Sequence, residues 1–301
     1  MGLKELSIED REIFQQYLKN CPNKTAMMNF TSLYIWKDWG GSTSWEILKD
    51  TLCVHKNFHK SVFNLIPISP DLDNVKAAID TLIEKSRENN EVLWFREASD
   101  EQVDFFRANW GEQFDIHESI GSANYIYRIS DLVTLAGKPY AAKRNHINKL
   151  LRSGQRFEIK EITPELVPAC KEYLSSWMNG HNSEDSAQLS GDHVATTLAL
   201  ENMEQLGTRG ICLLVNDKIQ GLTLGDELNP QTVLIHIEKA NAEIPGAYPY
   251  INQQFLERYW QDYTYVNREE DMGNPGLRKA KLSYHPCHME KVFMLKLKPS
   301  H

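Results

Sequence analysis

Nowhere does this 301-residue chain carry the ~18 consecutive apolar residues that a membrane-spanning helix needs. Its opening stretch, Met1 to Glu12, is amphipathic and soon acidic, so no secretory signal is expected. Cysteine is sparse and poorly spaced. Cys21, Cys53, Cys170, Cys212 and Cys287 are odd in number and form no CxxC pair. That argues against a disulfide framework and for a reducing, cytoplasmic setting. His285-Pro286-Cys287-His288 is too compressed for a structural zinc site, so no metal is expected. Positive charge is also in deficit: 33 Lys and Arg face 41 Asp and Glu, a net charge of −8. Binding of polyanions over the whole surface is therefore disfavoured. What the chain does have is 41% hydrophobic residues, enough for buried cores and too many for wholesale disorder.

The scarce basic residues are concentrated. Lys138, Lys143, Arg144, Lys149, Arg152 and Arg156 fall between Leu132 and Phe157 with no acid among them. A second basic stretch runs from Leu277 to His301, where Glu290 is the single acid. An acidic body with two such stretches can hold a polyanion at a defined place, although a solvated helix face explains them equally well.

Periodicity divides the chain into two halves with one grammar. Ser7 to Asp10 reads as a helix start, followed by the stripe Ile13, Phe14, Tyr17 and Leu18. Trp45–Leu48, Thr51–His55 and Val62–Ile66 read as strands, Asn74–Arg87 as a helix, Val92–Phe95 as a strand and Asp100–Trp110 as a helix. Ser122–Ile129 alternates like a strand. The second half gives a strand at Phe157–Ile162, helices at Pro164–Met178 and His193–Gln205, and a hairpin turning at Asn216-Asp217-Lys218. A strongly apolar strand at Val233–Glu238, a helix at Ala247–Trp260, a strand at Tyr263–Asn267, a helix at Gly276–Ser283 and a strand at Val292–Leu297 complete it. Leu135–Gly154 reads as one basic helix joining the halves. The expected division is therefore 1–134, a connector 135–155, and 156–301. An antiparallel meander feeding a βαβ unit in each half makes the fold α+β, with mixed, mostly antiparallel sheets flanked by helices. Trp36, Trp39, Trp94 and Trp110 are expected in the cores.

Within the strand Leu234-Ile235-His236-Ile237-Glu238-Lys239, alternation puts His236 and Glu238 on one face. A carboxylate near an imidazole raises its basicity, an arrangement suited to base work. Glu238 equally reads as a strand-end carboxylate paired with a nearby Lys or Arg.

Three segments carry a resemblance: GKPYAAKRNHINKLLRSG, LIHIEKANAEIPGAYPYINQQFLERY and VNREEDMGNPGLRKAKLSYHP. Together they resemble the C-terminal domain of phosphatidylglycerol lysyltransferases, in particular its free-standing members. More distantly the chain is similar to Fem-type peptidoglycan aminoacyltransferases. The resemblance spans roughly residues 130–290, with a weaker echo in NFTSLYIWKDW. It implies two tandem acetyltransferase-like (GNAT) domains and transfer of an acyl group, often an aminoacyl group from tRNA, onto an amine or hydroxyl. A catalytically silent ligand-binding module is the alternative, and an acetyl-CoA-dependent N-acetyltransferase the third.

The resemblance also implies site residues. The loop Gly246-Ala247-Tyr248 occupies the place where acetyltransferases cradle the pyrophosphate of coenzyme A. Glu243 and Pro245 suit that task poorly, leaving at most an anion site at the helix start. Glu269, Glu270 and Asp271 follow a strand where the resembling enzymes form the floor of the transfer site, and suit a cationic ammonium. Lys281 matches a lysine that neutralises an oxyanion or phosphate. Tyr284 is expected as a proton donor or as core. On the connector, Lys143, Arg144, Asn145 and Lys149 are expected to contact phosphates of tRNA or of a phosphate-bearing small molecule. The donor is thus expected to be an aminoacyl-tRNA or an acyl-CoA; lipid contact from the surface stays open.

Overall fold

The computed structural model describes residues 2–19, 21, 24–59, 61–179 and 186–299. The chain begins with β1 (Lys4–Glu5), α1 (Arg11–Leu18) and α2 (Phe30–Ile35). A meander of β2 (Thr43–Leu48), β3 (Thr51–Phe58) and β4 (Ser61–Leu65) leads into α3 (Leu72–Glu88) and β5 (Trp94–Ala98). Then come α4 (Asp100–Trp110), β6 (Phe114–Glu118), β7 (Asn124–Arg128), α5 (Ile129–Thr134), α6 (Ala141–Leu151) and β8 (Phe157–Glu161). Helices α7 (Val167–Asn179), α8 (Ser186–Glu201) and α9 (Met203–Leu206) precede a second meander of β9 (Arg209–Val215), β10 (Lys218–Asn229) and β11 (Thr232–Ala240). The chain closes with α10 (Ala247–Tyr259), β12 (Tyr265–Asn267), α11 (Pro275–Leu282), β13 (His288–Glu290) and β14 (Phe293–Leu297).

Contacts divide the molecule into two units. The first comprises Met1–Asn124, Glu270–Asn274 and Met289–His301, and the second Tyr125–Glu269 and Pro275–His288. The sheet of the first is ordered β1-β2-β3-β4-β5-β14-β6, and the second unit carries β7-β12-β11-β10-β9-β8. Each sheet is antiparallel except at one place, β4 against β5 and β11 against β12. A parallel pair needs a crossover, which α3 and α10 provide.

The helices form where capping and an apolar stripe coincide. Asp71 accepts a hydrogen bond from Asp73 N (2.9 Å) at the start of α3. Val75, Ala78, Ile79, Leu82 and Ile83 then enter a core shared with Phe95, Phe106, Trp110 and Leu295. In the second unit α10 buries Ala247, Ile251, Phe255 and Leu256 against Val233 and Ile235 of β11 and Ile211 and Leu213 of β9. Each Val, Leu, Ile or Phe among them contributes ~1.5–3 kcal/mol by leaving water, and each Ala less. The β9–β10 turn has φ of 50° at Asn216 and 63° at Asp217, the left-handed pair that a two-residue hairpin demands.

The units divide the chain differently from the boundaries read off the sequence. β7, which closes the first half in chain order, pairs with β12: Asn267 stands opposite Ile126. β14, which ends the second half, instead pairs with β5 and β6. Long-range strand pairing rather than chain order assigns them. The connector is not one helix either. Thr134 ends α5, Leu135 and Gly137 turn at positive φ (46° and 81°), and α6 begins only after Pro139. β6 has too weak an alternation to be read from sequence. Among the four tryptophans, Trp110 is buried whereas Trp39 is 37% exposed.

Candidate functional site

The site in the second unit begins with an irregularity in β11. Its register against β10 pairs Ile237 with Leu224 and Ile235 with Gly225, leaving His236 unpaired. That is a β-bulge, and it restarts the alternation of side chains. A Cβ on Gly225 would lie 3.3 Å from Phe255 of α10, so Asp226 beside it points to the other side. His236 goes with Asp226: Nε2 bonds Asp226 Oδ1 at 2.9 Å, and Nδ1 lies 3.7 Å from Glu269 Oε1. Glu238 instead turns toward α10, where Asn252 donates its amide to Oε2 (2.7 Å). His236 and Glu238 therefore do not share a face. The expectation of alternation fails by one residue because the bulge adds one.

The two residues also differ in chemistry. Burial opposes charge on His236, but Asp226 and Glu269 outweigh it and raise its pKa to about 9. Protonated at neutral pH and enclosed, it is an ion-pair partner rather than a proton acceptor. It anchors Glu269, whose own backbone is left-handed at φ 56°.

Around Glu238 four further side chains converge. Arg268, from the turn after β12, donates Nη2 to Glu238 Oε1 at 2.6 Å. Its guanidinium carbon lies 4.5 Å from the ring centroid of Tyr284 and 5.5 Å from that of Tyr127. Arg268 Nη1 is buried and has no hydrogen-bond partner. Burial opposes the charge on Arg268, yet Glu238 and the two tyrosines raise its pKa further. Lys143, on α6, lies over the same ring, with Nζ 3.6 Å from the Tyr284 centroid, and donates to Ser283 Oγ at 2.7 Å. Desolvation, aided by Arg268, lowers its pKa to about 8 against the opposing pull of Glu238. Burial raises the Tyr284 and Tyr127 phenols, so both stay protonated.

Other expected residues have different places. Lys281 donates Nζ to the main-chain oxygen of Arg268, and its own carbonyl accepts from Tyr127 OH (2.9 Å), so it braces the turn that presents the guanidinium. Arg144 donates Nη1 to the carbonyls of Leu135 and Gly137 (2.7 Å to the latter), closing the α5–α6 turn. Asn145 and Lys149 are exposed on α6. Glu270 and Asp271 fall in the first unit, where buried Asp271 accepts a bond from Gly273 N (2.8 Å). Gly246 has φ 93°, and a Cβ there would lie 2.2 Å from the carbonyl oxygen of His146 on α6. The Ala247 N–H already bonds Ile244 O at 3.1 Å. The backbone of α6 thus packs against this loop on the side where a side chain would project. Tyr248 is largely enclosed, and burial raises its phenol.

Arg268, Ser283, Asn252 and Tyr127 are members of the cluster that the sequence alone did not assign. Arg268 had a signal, as the one cation in Asn267–Asp271, and Ser283 lies between two residues already singled out. Asn252 and Tyr127 carried none. His285 packs its ring against Tyr140, at 5.5 Å between centroids. Among the described residues no group of three or more His, Cys, Asp or Glu is placed to hold a metal, and no helix is long and apolar enough to cross a membrane.

Two mixed sheets, each with one helix-bridged parallel pair and flanking helices, define a tandem GNAT architecture. A tandem GNAT protein from the clavulanic acid biosynthesis pathway shares it, with TM-score 0.52 at 12% identity over 100% of this chain and 99% of that one. The family model for phosphatidylglycerol lysyltransferase, C-terminal, matches residues 20–296, and the chain belongs to that family. L-PGS from Bacillus licheniformis has the same fold, with TM-score 0.67 at 13% identity over 99% and 94% of the two chains. A conserved protein of unknown function from Bacteroides thetaiotaomicron is much more similar: TM-score 0.92 and 32% identity over 99% of this chain and all (100%) of that one.

Proposed function

We propose that this protein transfers an acyl group, delivered as an aminoacyl ester of tRNA, to an amine or hydroxyl acceptor at the Lys143–Arg268–Tyr284 cluster. One observation carries this reading: a half-buried amine shares a tyrosine ring with a buried guanidinium whose Nη1 is uncommitted. Acyl transfer asks for a proton acceptor and for a cation facing the developing oxyanion. Lys143, brought down to about 8, is partly neutral near that pH and takes the proton of the attacking group. Arg268, fixed beside the ring, supplies the positive charge that the developing oxyanion needs. Lys143 then passes that proton to the departing oxygen, while Tyr284, kept protonated, holds both cations against its ring. Glu238, already bonded to Arg268 and Asn252, orients the guanidinium and leaves little room for a substrate ammonium.

The nature of the donor is supported by the end of α6, where Lys149 and, just past the helix, Arg152 are exposed and suit phosphates. The family name supports a lysyl group as cargo and phosphatidylglycerol as one acceptor to try. Acyl-CoA is less well supported, because Glu243 and Pro245 suit its pyrophosphate poorly. The test is incubation with tRNA charged with labelled amino acids, in the presence of phosphatidylglycerol vesicles or soluble amines. Discharge faster than in buffer, with label on an acceptor, is expected. Binding of charged tRNA without discharge would select the silent binding module instead, and micromolar affinity for acetyl-CoA would overturn the choice of donor.

A further inference from the structure

Ser283 is the exposed residue that follows α11, and its hydroxyl is engaged on both sides. Lys143 Nζ donates to Oγ at 2.7 Å, while Oγ donates to the carbonyl oxygen of Ala280. A serine hydroxyl beside an amine that has been taken out of water is the arrangement through which a lysine activates a serine nucleophile. Three features of the surroundings favour that chemistry. Among the described residues no carboxylate pairs with the amine, and desolvation outweighs the attraction of its charge to the Tyr284 ring. Its nearest charged influences are Arg268, which disfavours protonation, and Glu238, which favours it but is itself committed to Arg268. Arg268 keeps Nη1 buried and unbonded on the same tyrosine, a donor without an acceptor.

We infer that Ser283 and Lys143 form a Ser–Lys dyad through which this unit takes an acyl group onto its own side chain before passing it on. The donor would be an oxygen ester, and the dyad rests on the transfer reading above only for the identity of that ester. In the first step neutral Lys143 accepts the Ser283 hydroxyl proton, once that hydroxyl swings from the Ala280 carbonyl to Nζ. Ser283 Oγ bonds to the acyl carbon, the bond from that carbon to the leaving oxygen breaks, and the proton passes from Lys143 to the departing alkoxide. In the second step an amine or hydroxyl acceptor loses its proton to Lys143 and attacks the acyl carbon. The Oγ–acyl bond then breaks, and Ser283 recovers its proton. Nothing is oxidised or reduced, and both halves balance with the ester and the acceptor alone. The Arg268 charge, held on the same tyrosine as Lys143, favours the oxyanion in each half.

The test uses the full chain and p-nitrophenyl acetate, an activated ester that needs no tRNA. Expected is a burst of p-nitrophenolate matching one acetyl group per chain, mapped by peptide mass spectrometry to Ser283. Ser283→Ala, a small change at an exposed position, should abolish the burst while leaving the circular dichroism spectrum unchanged. Lys143→Met should slow acylation by about 100-fold or more, the usual range for losing a general base. Lys143→Arg, which keeps a cation but cannot act as a base, should be as slow. Acetyl on Lys143 or on another residue, or an undiminished burst in Ser283→Ala, would overturn the dyad. The two proposals can fail separately. Aminoacyl transfer from tRNA that survives in Ser283→Ala keeps the transfer reading and ends the dyad. Acyl-Ser283 formed from the ester with no discharge of any aminoacyl-tRNA does the reverse.

Discussion

Glu238 Oε1 and Arg268 Nη2 meet at 2.6 Å in an ion pair whose side chains are 9% and 11% exposed. The pair joins two strands that are neighbours in the sheet but distant in the chain, since β11 carries the carboxylate and the turn after β12 carries the guanidinium. It also fixes Arg268 against Tyr284 and Tyr127. A pair this enclosed is not a strong source of net stability, because both charges lose water. Its value lies in orientation.

Removing one partner should therefore cost more than removing both. Arg268→Met strands the Glu238 carboxylate, with Asn252 as its remaining partner, and is expected to destabilise the protein by about 3–5 kcal/mol. Glu238→Met strands the guanidinium similarly. The double Met variant should recover a large part of either loss, as urea unfolding of the set would show. Additive losses would mean that the two side chains act independently of each other.

Stability should fall as pH rises through the titration of His236. Its folded pKa is raised to about 9 from 6.5, so the folded state holds the proton more tightly than the unfolded chain. The contribution is fully present below 6.5 and is lost on passing 9. A shift of that size corresponds to on the order of 3 kcal/mol. His236→Gln should unfold at a lower temperature than the parent at pH 6, and the difference should shrink toward pH 9.5. Melting temperatures of both proteins across that range decide it. A constant gap would remove Asp226 and Glu269 as the cause.

These two pairs also show how far the sequence could be read. The meander, the helix of each βαβ unit and the Asn216-Asp217 turn were legible, because each rests on local periodicity or turn chemistry. The pairing of Glu238 with a nearby cation was legible as an alternative to base work. The face of His236 was not, since a bulge depends on the register of a partner strand and leaves no mark in the strand's own alternation. Arg268 was hidden for a related reason: its role depends on Tyr127 and Tyr284, far from it in the chain or beyond a helix. Assignment of β7 and β14 to sheets is likewise a matter of partners that chain order does not reveal.

Gly246 is where one extra carbon should be costly. The position has φ 93°, and a Cβ would meet the His146 carbonyl oxygen at 2.2 Å and the Ile147 Cα at 3.2 Å. Backbone has no rotamer by which to yield, so α6 must move away from α10. Gly246→Ala is expected to cost about 1–3 kcal/mol from left-handed strain alone, and more from the collision. Because α6 carries Lys143, the variant should also loosen the contact with Tyr284 and slow ester cleavage. Thermal unfolding and the p-nitrophenolate burst, measured together, test this; a stable variant with a full burst would place the two helices farther apart than 2.2 Å implies.

Lys149 and Arg152 are exposed on a stretch with no acid from Leu132 to Phe157, and neither enters the cluster around Tyr284. If they contact phosphates, tRNA binding should weaken steeply with salt, because each neutralised phosphate releases condensed counterions. The slope of log affinity against log salt is about −0.7 to −0.9 per contact, depending on strandedness. Lys149→Ala and Arg152→Ala should each reduce that slope by about 1. The same changes should leave cleavage of p-nitrophenyl acetate untouched, since that ester carries no phosphate to hold. Fluorescence anisotropy of labelled tRNA between 50 and 200 mM salt, roughly the range over which such slopes resolve, gives the measurement. Unaltered slopes in both variants would move the nucleic-acid contact off α6, while a loss of ester cleavage would show that these side chains support the site itself.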